Sequence, residues 1–164
     1  MAGCILTKDV DGLNDSKKLS EKKREELFER IILASTYHIV KFTPKDIDTQ
    51  GISKCLASGL YEIVESLDAK EYLFDGNLSY GVEGVNTMIK ADGKIPEVSA
   101  ASIIAKVTHD RDILKEAKKY PQWEFESHKG YGTKKHIELI KKHGYSPIHR
   151  MSFKIKELHQ PSLF

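Results

Sequence analysis

The chain has 164 residues, 40% of them apolar, and no linker or repeat divides them, a composition that suits one soluble domain with a buried core. Its longest apolar stretches are too short to span a bilayer, and the N-terminus lacks the charged and apolar regions of a secretory signal, so the compartment reads as cytoplasm. The net charge of +2 conceals an asymmetry: Lys115 to Lys154 holds ten Lys/Arg against four Asp/Glu, a local excess of +6 that leaves −4 for the remainder.

In chain order, Cys4-Ile-Leu-Thr7 reads as the tail of a buried strand, turned by Asp9-Val-Asp-Gly12 into the polar loop Asn14-Asp-Ser-Lys-Lys18. Ser20 caps a helix in which Leu27, Phe28, Ile31 and Ile32 recur at helical spacing. Tyr37 to Phe42 forms the next strand, ending before Pro44. Asp48 or Thr49 caps a helix whose Ile52, Leu56, Leu60, Ile63, Val64 and Leu67 form one apolar core stripe. Glu71-Tyr-Leu-Phe-Asp75 is a strand entering a Gly76-Asn77 turn, and a short run near Met88-Ile-Lys90 closes at Asp92. Pro96 starts a long helix to about Lys119, with small residues Ser99-Ala-Ala-Ser102 for close packing against a sheet and Ile103, Ile104, Val107 and Leu114 inward. Thr133 caps a last helix, Lys134 to His143, which Gly144 stops. The alternation predicts a layered α/β fold with acidic strand ends at one sheet edge. Cys4 and Cys55, in apolar contexts, read as buried reduced thiols.

Two features carry chemistry. Asp75 and Asp92, both at strand ends, form half of a site for a hard divalent cation such as magnesium or manganese, since strand ends hold carboxylates rigidly; two Asp-Gly turns are the plainer reading of the same residues. The basic third interleaves Trp123, Phe125, Tyr131 and Tyr145 with Lys129, Lys134, Lys135, Lys141, Lys142 and Arg150. Phosphate backbones are its natural partner, a solvated lysine face the alternative, and the glycine and aromatic punctuation favours binding. His128 and His136 have the spacing of a zinc pair, but no further ligand cluster accompanies them, which favours a binding-surface or capping role.

The blocks Gly12-Leu-Asn-Asp-Ser-Lys-Lys-Leu-Ser20, Asp75-Gly-Asn77, Lys90-Ala-Asp92, Ala100-Ala-Ser-Ile-Ile-Ala-Lys-Val-Thr108 with Asp110-Arg111, His128-Lys-Gly-Tyr-Gly-Thr133 and Ser146-Pro-Ile-His-Arg150 resemble bacterial ribonuclease HII, in that family's order, from residue 2 to about 155. The resemblance implies a ribonuclease H-like α/β/α fold with a mixed central sheet and a helical C-terminal region. It implies two-metal-ion hydrolysis of the RNA strand of RNA-DNA hybrids, and of single ribonucleotides embedded in duplex DNA, leaving 5′-phosphate and 3′-hydroxyl ends. By the same resemblance, Asp75 and Asp92 bind Mn2+ or Mg2+, and Tyr131 stacks at the ribonucleotide-deoxyribonucleotide junction. Lys17, Lys18, Lys94 and Lys129 suit phosphate contacts. The implied protein is a monomer with no membrane partner.

The chain departs from the family at its start. The family's first strand carries an Asp-Glu-Ala-Gly-Arg-Gly motif whose two carboxylates complete the metal site, and no such motif occurs in this sequence. Met1 to Leu6 resembles the family's second strand, so Met1 reads as an internal codon of a longer frame or the start of a trimmed chain, ahead of a genuine inactive paralogue. The expectation is a sheet lacking its central strand, poorly stable, binding nucleic acid without efficient turnover; a binding or clamp-tethered module is the alternative function. Residues 1–155 read as the catalytic domain and 156–164 as a tail. There Gln160-Pro-Ser-Leu-Phe164 resembles the bacterial sliding-clamp-binding pentapeptide, with Gln160, Leu163 and Phe164 as its contacts.

Overall fold

Strand β1 (Ala2–Leu6) pairs antiparallel with β2 (Ser35–Ile39), Cys4 opposite Tyr37, in a computed structural model that describes residues 1–155. Two further bonds between the Met1 and Val40 backbones extend the ladder. Between the strands runs α1 (Glu21–Leu33), whose N-cap Ser20 accepts from the Lys23 amide as the sequence predicts. The second strand begins two residues earlier than its apolar run: the Ser35 hydroxyl donates back to the Ile31 carbonyl of α1, and the Ala34 carbonyl already accepts from the Thr7 amide and hydroxyl beyond β1.

The described residues group into two compact units, Met1–Lys41 with Ile52–Thr108, and Phe42–Gly51 with the chain from His109 onward. In the first, Leu27 and Ile31 of α1 are fully buried against Ala100, Ile103, Ile104 and Val107 of α4 (Pro96–Ala117), with Cys4, Leu6 and Ile39 of the β1-β2 ladder packed on them. Each such Leu or Ile contributes about 1.5–3 kcal/mol by burial. The small residues at the start of α4 serve the close packing predicted for them: Ala100 has no exposed surface. Helix α3 (Ile52–Ser66) buries Cys55, Gly59, Leu60 and Ile63. Ile52, expected in its stripe, is instead exposed. Gly3 lets β1 approach this helix, for a methyl there would run into Ile63 Cγ2 and come within 2.8 Å of Leu67 Cδ1. Strand β3 (Tyr72–Asp75) pairs parallel with β4 (Val85–Met88). The strands thus form two ladders of two, one antiparallel and one parallel.

In the second unit, Thr43 caps α2 (Pro44–Gln50) through a capping box with Asp46. This corrects the assignment of Asp48 or Thr49 as a cap: both lie inside α2, which ends at Gly51 before α3 begins. Asp48 instead accepts from the Met151 and Ser152 amides at 2.8 and 2.9 Å. Ala117, Trp123 and Phe125 form the core, with Ile113, Leu139 and Ile148 against it. Helix α5 (Phe125–His128) leads through a loop to α6 (Lys134–His143), capped by Thr133 as predicted. Burial of Trp123 and Phe125 removes them from the binding aromatics inferred from the basic third. No helix among the described residues is long and apolar enough to cross a membrane.

Candidate functional site

Asp75 stands at the last position of β3, exposed, and the turn after it is held by a 3.2 Å bond from the Gly76 amide to the Met88 carbonyl. The chain then returns along β4 and forms a 3-10 turn, Ala91–Gly93, entered through Lys90 in the left-handed conformation. Asp92 therefore lies within this turn and not at a strand end as the sequence implied. The reason is local: the Ala91 amide donates to Asp75 Oδ1 at 2.9 Å, so the first aspartate caps the turn bearing the second. The Asp92 carbonyl in turn accepts from the Ser99 hydroxyl of α4, fixing the turn from the other side.

Asp92 is buried, with 6% of its surface exposed. Burial pushes its carboxyl pKa up, and the nearby charges of Asp75 and Asp15 push it further, against a smaller opposing effect of Lys17. A third carboxylate, Asp15, thus acts on the pair through its charge. The polar loop read for its lysines also supplies Asp15, and its shape shows why. The Asp15 carboxylate accepts from the Lys17 amide at 2.9 Å, Ser16 Oγ lies 2.9 Å from Ser102 Oγ of α4, and Arg24 of α1 donates to the Ser16 and Leu19 carbonyls. In the sequence the short-range Asn14-Asp15 turn chemistry is the one local signal for Asp15, and Arg24 carries none.

Two mutually repelling carboxylates on fixed turns suit the oxygen ligands a hard divalent cation prefers, and its charge would relieve the repulsion that raises Asp92. Among the described residues, however, no group of three or more His, Cys, Asp or Glu side chains is arranged to hold a metal ion. Asp75 and Asp92 fit one side of such a centre.

Lys17, Lys18 and Lys94 are exposed in the same unit as the aspartates. In the second unit, Tyr131 is 53% exposed on the loop between α5 and α6, while Lys129, half-buried, donates to the Glu126 carbonyl. His128 and His136 are buried, which corrects their assignment to a binding surface, and their rings stack 4.0 Å apart. Gln160, Leu163 and Phe164 lie outside the described residues.

A family model described as Ribonuclease HII matches residues 1–156. A ribonuclease HII of Sulfurovum sp. (strain NBC37-1) is 56% identical over 164 residues, covering 100% of this chain and 87% of that protein. One from Aliarcobacter butzleri is 52% identical over 160 residues, covering 96% and 83%. Among solved structures, the PCNA:RNase HII complex from Archaeoglobus fulgidus contains a chain similar at TM-score 0.80 and 29% identity, over 99% of this chain and 89% of that one. The ribonuclease H2 of Pyrococcus horikoshii is similar at TM-score 0.69 and 28% identity, over 93% of each.

Proposed function

Because the chain belongs to the ribonuclease HII family, divalent-metal-dependent endoribonucleases that act on the RNA strand of RNA-DNA hybrids, we propose that it binds such hybrids, and single ribonucleotides within duplex DNA, and hydrolyses the phosphodiester through Asp75 and Asp92. The observation carrying this reading is the Asp75-Asp92 pair: one carboxylate caps the turn that buries the other, so both side chains are held in place before a cation arrives. Mg2+ or Mn2+ held there would supply an activated water and stabilisation of the leaving 3′-oxygen, giving 5′-phosphate and 3′-hydroxyl products.

The protein's own contributions follow from the loops. Asp75 and Asp92 hold the cation, and Asp15 adds a further negative charge beside Asp92. Lys17, Lys18, Lys94 and Lys129 contact phosphates, Lys17 also offsetting the charge around Asp92. Tyr131 stacks on a base at the ribonucleotide junction, which its exposure on a capped loop supports. The family match over residues 1–156 supports reading 1–155 as the catalytic domain, with 156–164 as a tail. The same reading makes the protein a cytoplasmic monomer that acts in ribonucleotide excision repair and DNA replication. The relation to a ribonuclease HII solved in complex with PCNA supports a clamp partner for Gln160, Leu163 and Phe164.

A second reading, nucleic-acid binding without efficient turnover, is favoured by the lack of a three-ligand metal group among the described residues. Cleavage of an end-labelled duplex carrying one ribonucleotide, with Mg2+, Mn2+ or chelator, separates the two. Metal-dependent nicking lost in Asp75→Asn, with affinity kept, supports the enzyme; tight binding with no nicking under any metal supports the binding module.

A further inference from the structure

Beneath the Tyr131 loop, His128 and His136 stack at 4.0 Å and His136 and His149 at 5.1 Å, enclosed by Phe125, with Tyr145 edge-on to His149. Their hydrogen bonds admit one arrangement of protons. The Ser146 amide can only donate, and it lies 2.7 Å from His149 Nδ1, so that nitrogen accepts and the neutral ring carries its proton on Nε2. His149 Nε2 lies 2.8 Å from His136 Nε2 and donates to it. His136 then carries its proton on Nδ1, 2.9 Å from the Tyr131 carbonyl, which can only accept. The series starts at a backbone donor, with the Ser146 hydroxyl also 2.6 Å from Nδ1, and ends at a backbone acceptor. His128 runs the same way, from the Gly130 amide at 3.2 Å to the Trp123 carbonyl at 2.8 Å.

The loop carries backbone strain. Lys129 and Gly130 have φ of 50° and 80°, two left-handed residues in succession, and the lysine bears the steric cost that glycine escapes. Tyr131 follows them, its ring about half exposed and tilted against that of His109 at 6.2 Å, its amide donating to the His128 carbonyl and its carbonyl accepting from the Thr133 amide, each at 2.8 Å. Apolar side chains could fill the space under the loop without the desolvation cost of three imidazoles. What the imidazoles add is a directed donor on the Tyr131 carbonyl.

We propose that Ser146, His149 and His136 form a one-way hydrogen-bond relay that fixes the loop presenting Tyr131, which makes His136 and His149 positioning residues for stacking on the base at the ribonucleotide junction. The inference rests on the assignment of Tyr131 proposed above. Burial, with each other's charge, holds both rings below the usual imidazole range, consistent with neutral relay members. A second proton on His136 would set two N–H groups against each other at 2.8 Å, and one on His149 would oppose the Ser146 amide at 2.7 Å.

The test uses the full chain. Long-range proton-nitrogen spectra at neutral pH should show His149 protonated on Nε2 and His136 on Nδ1; the opposite tautomer at either ring overturns the relay. Binding to a duplex with one ribonucleotide and to its all-DNA counterpart is measured without divalent metal, so that no hydrolysis intervenes. His136→Phe, which removes the donor, should cut the preference for the ribonucleotide about tenfold, the worth of one hydrogen bond. It should leave all-DNA affinity unchanged and cost nothing further when combined with Tyr131→Ala. His136→Asn, whose amide places a donor where Nδ1 lies, should keep most of the preference. Full preference in folded His136→Phe overturns the proposal. A wild-type chain with no preference overturns the Tyr131 assignment, and the relay is then decided by amide exchange at Tyr131 and Thr133, which His136→Phe should accelerate if the relay holds the loop and leave unchanged if it does not.

Discussion

Asp92 is a carboxylate placed where its charge is disfavoured, by burial first and by Asp75 and Asp15 next. Its pKa in the folded chain therefore lies above the ordinary 3.8. The unfolded chain loses the proton first as pH rises, so the stability this group contributes is complete below that value and is lost as pH climbs through the folded pKa. Asp92→Asn should thus raise stability at neutral pH without metal, while removing hydrolysis. Chemical denaturation beside a nicking assay checks both; a destabilised Asn variant would mean that the site does not strain the carboxylate. His149 gives a dependence of opposite sign, its ring held down to about 4 against an ordinary 6.5. The unfolded ring protonates first as pH falls, so stability is full above 6.5 and declines towards 4. Discounted for partial exposure, the loss is about 2 kcal/mol, and unfolding midpoints between these pH values should fall less in His149→Phe. Of these residues only Asp92 was legible in the sequence, through its neighbour motif. His149 and Asp15 acquire their roles from partners 13 and 77 positions away, beyond the reach of local spacing.

At the scale of elements, caps and stops were read best, because their causes are local. Ser20 and Thr133 cap their helices, Pro96 begins α4, and Gly144 follows α6. The errors arose where a second partner decided the outcome. Asp92 left its expected strand end because the Asp75 carboxylate captures the Ala91 amide and draws the chain into a 3-10 turn. The cap before α3 was misplaced because Thr43 and Asp46 close a capping box on a helix of their own. Gly3 passed unremarked, since a glycine in a strand run carries no sign of what lies across from it; Ile63 and Leu67 occupy the space a side chain would need. Gly3→Ala should destabilise the chain by about 1–3 kcal/mol, the cost of overpacking, through displacement of α3 from β1. Thermal unfolding measures it, and Gly3→Ala combined with Ile63→Val should recover part of the loss; additive losses would place the strain elsewhere.

For the molecule as a whole, charge and apolar content located function more coarsely than the motifs did. The excess of +6 between Lys115 and Lys154 is what suggests a phosphate-binding third, yet the structure divides its aromatics, burying Trp123 and Phe125 and leaving Tyr131 exposed. A solvated lysine face and a nucleic-acid surface have the same composition, and three-dimensional placement separates them. The pentapeptide Gln160-Pro-Ser-Leu-Phe164 is the proposed contact for a second kind of partner. A leucine-phenylalanine pair can fill an apolar pocket on a clamp while glutamine sets register by hydrogen bonds, leaving the catalytic domain to move along DNA. Ordering such a short segment consumes part of its contact energy, so the full chain should bind a purified bacterial clamp with a Kd in the micromolar range, near −8 kcal/mol. Leu163→Ala with Phe164→Ala should abolish binding without changing affinity for hybrid or the thermal transition. Titration against labelled clamp decides the matter: binding that survives the double substitution would assign the contact to another surface, and no binding at high-micromolar clamp would make the pentapeptide an ordinary apolar chain end.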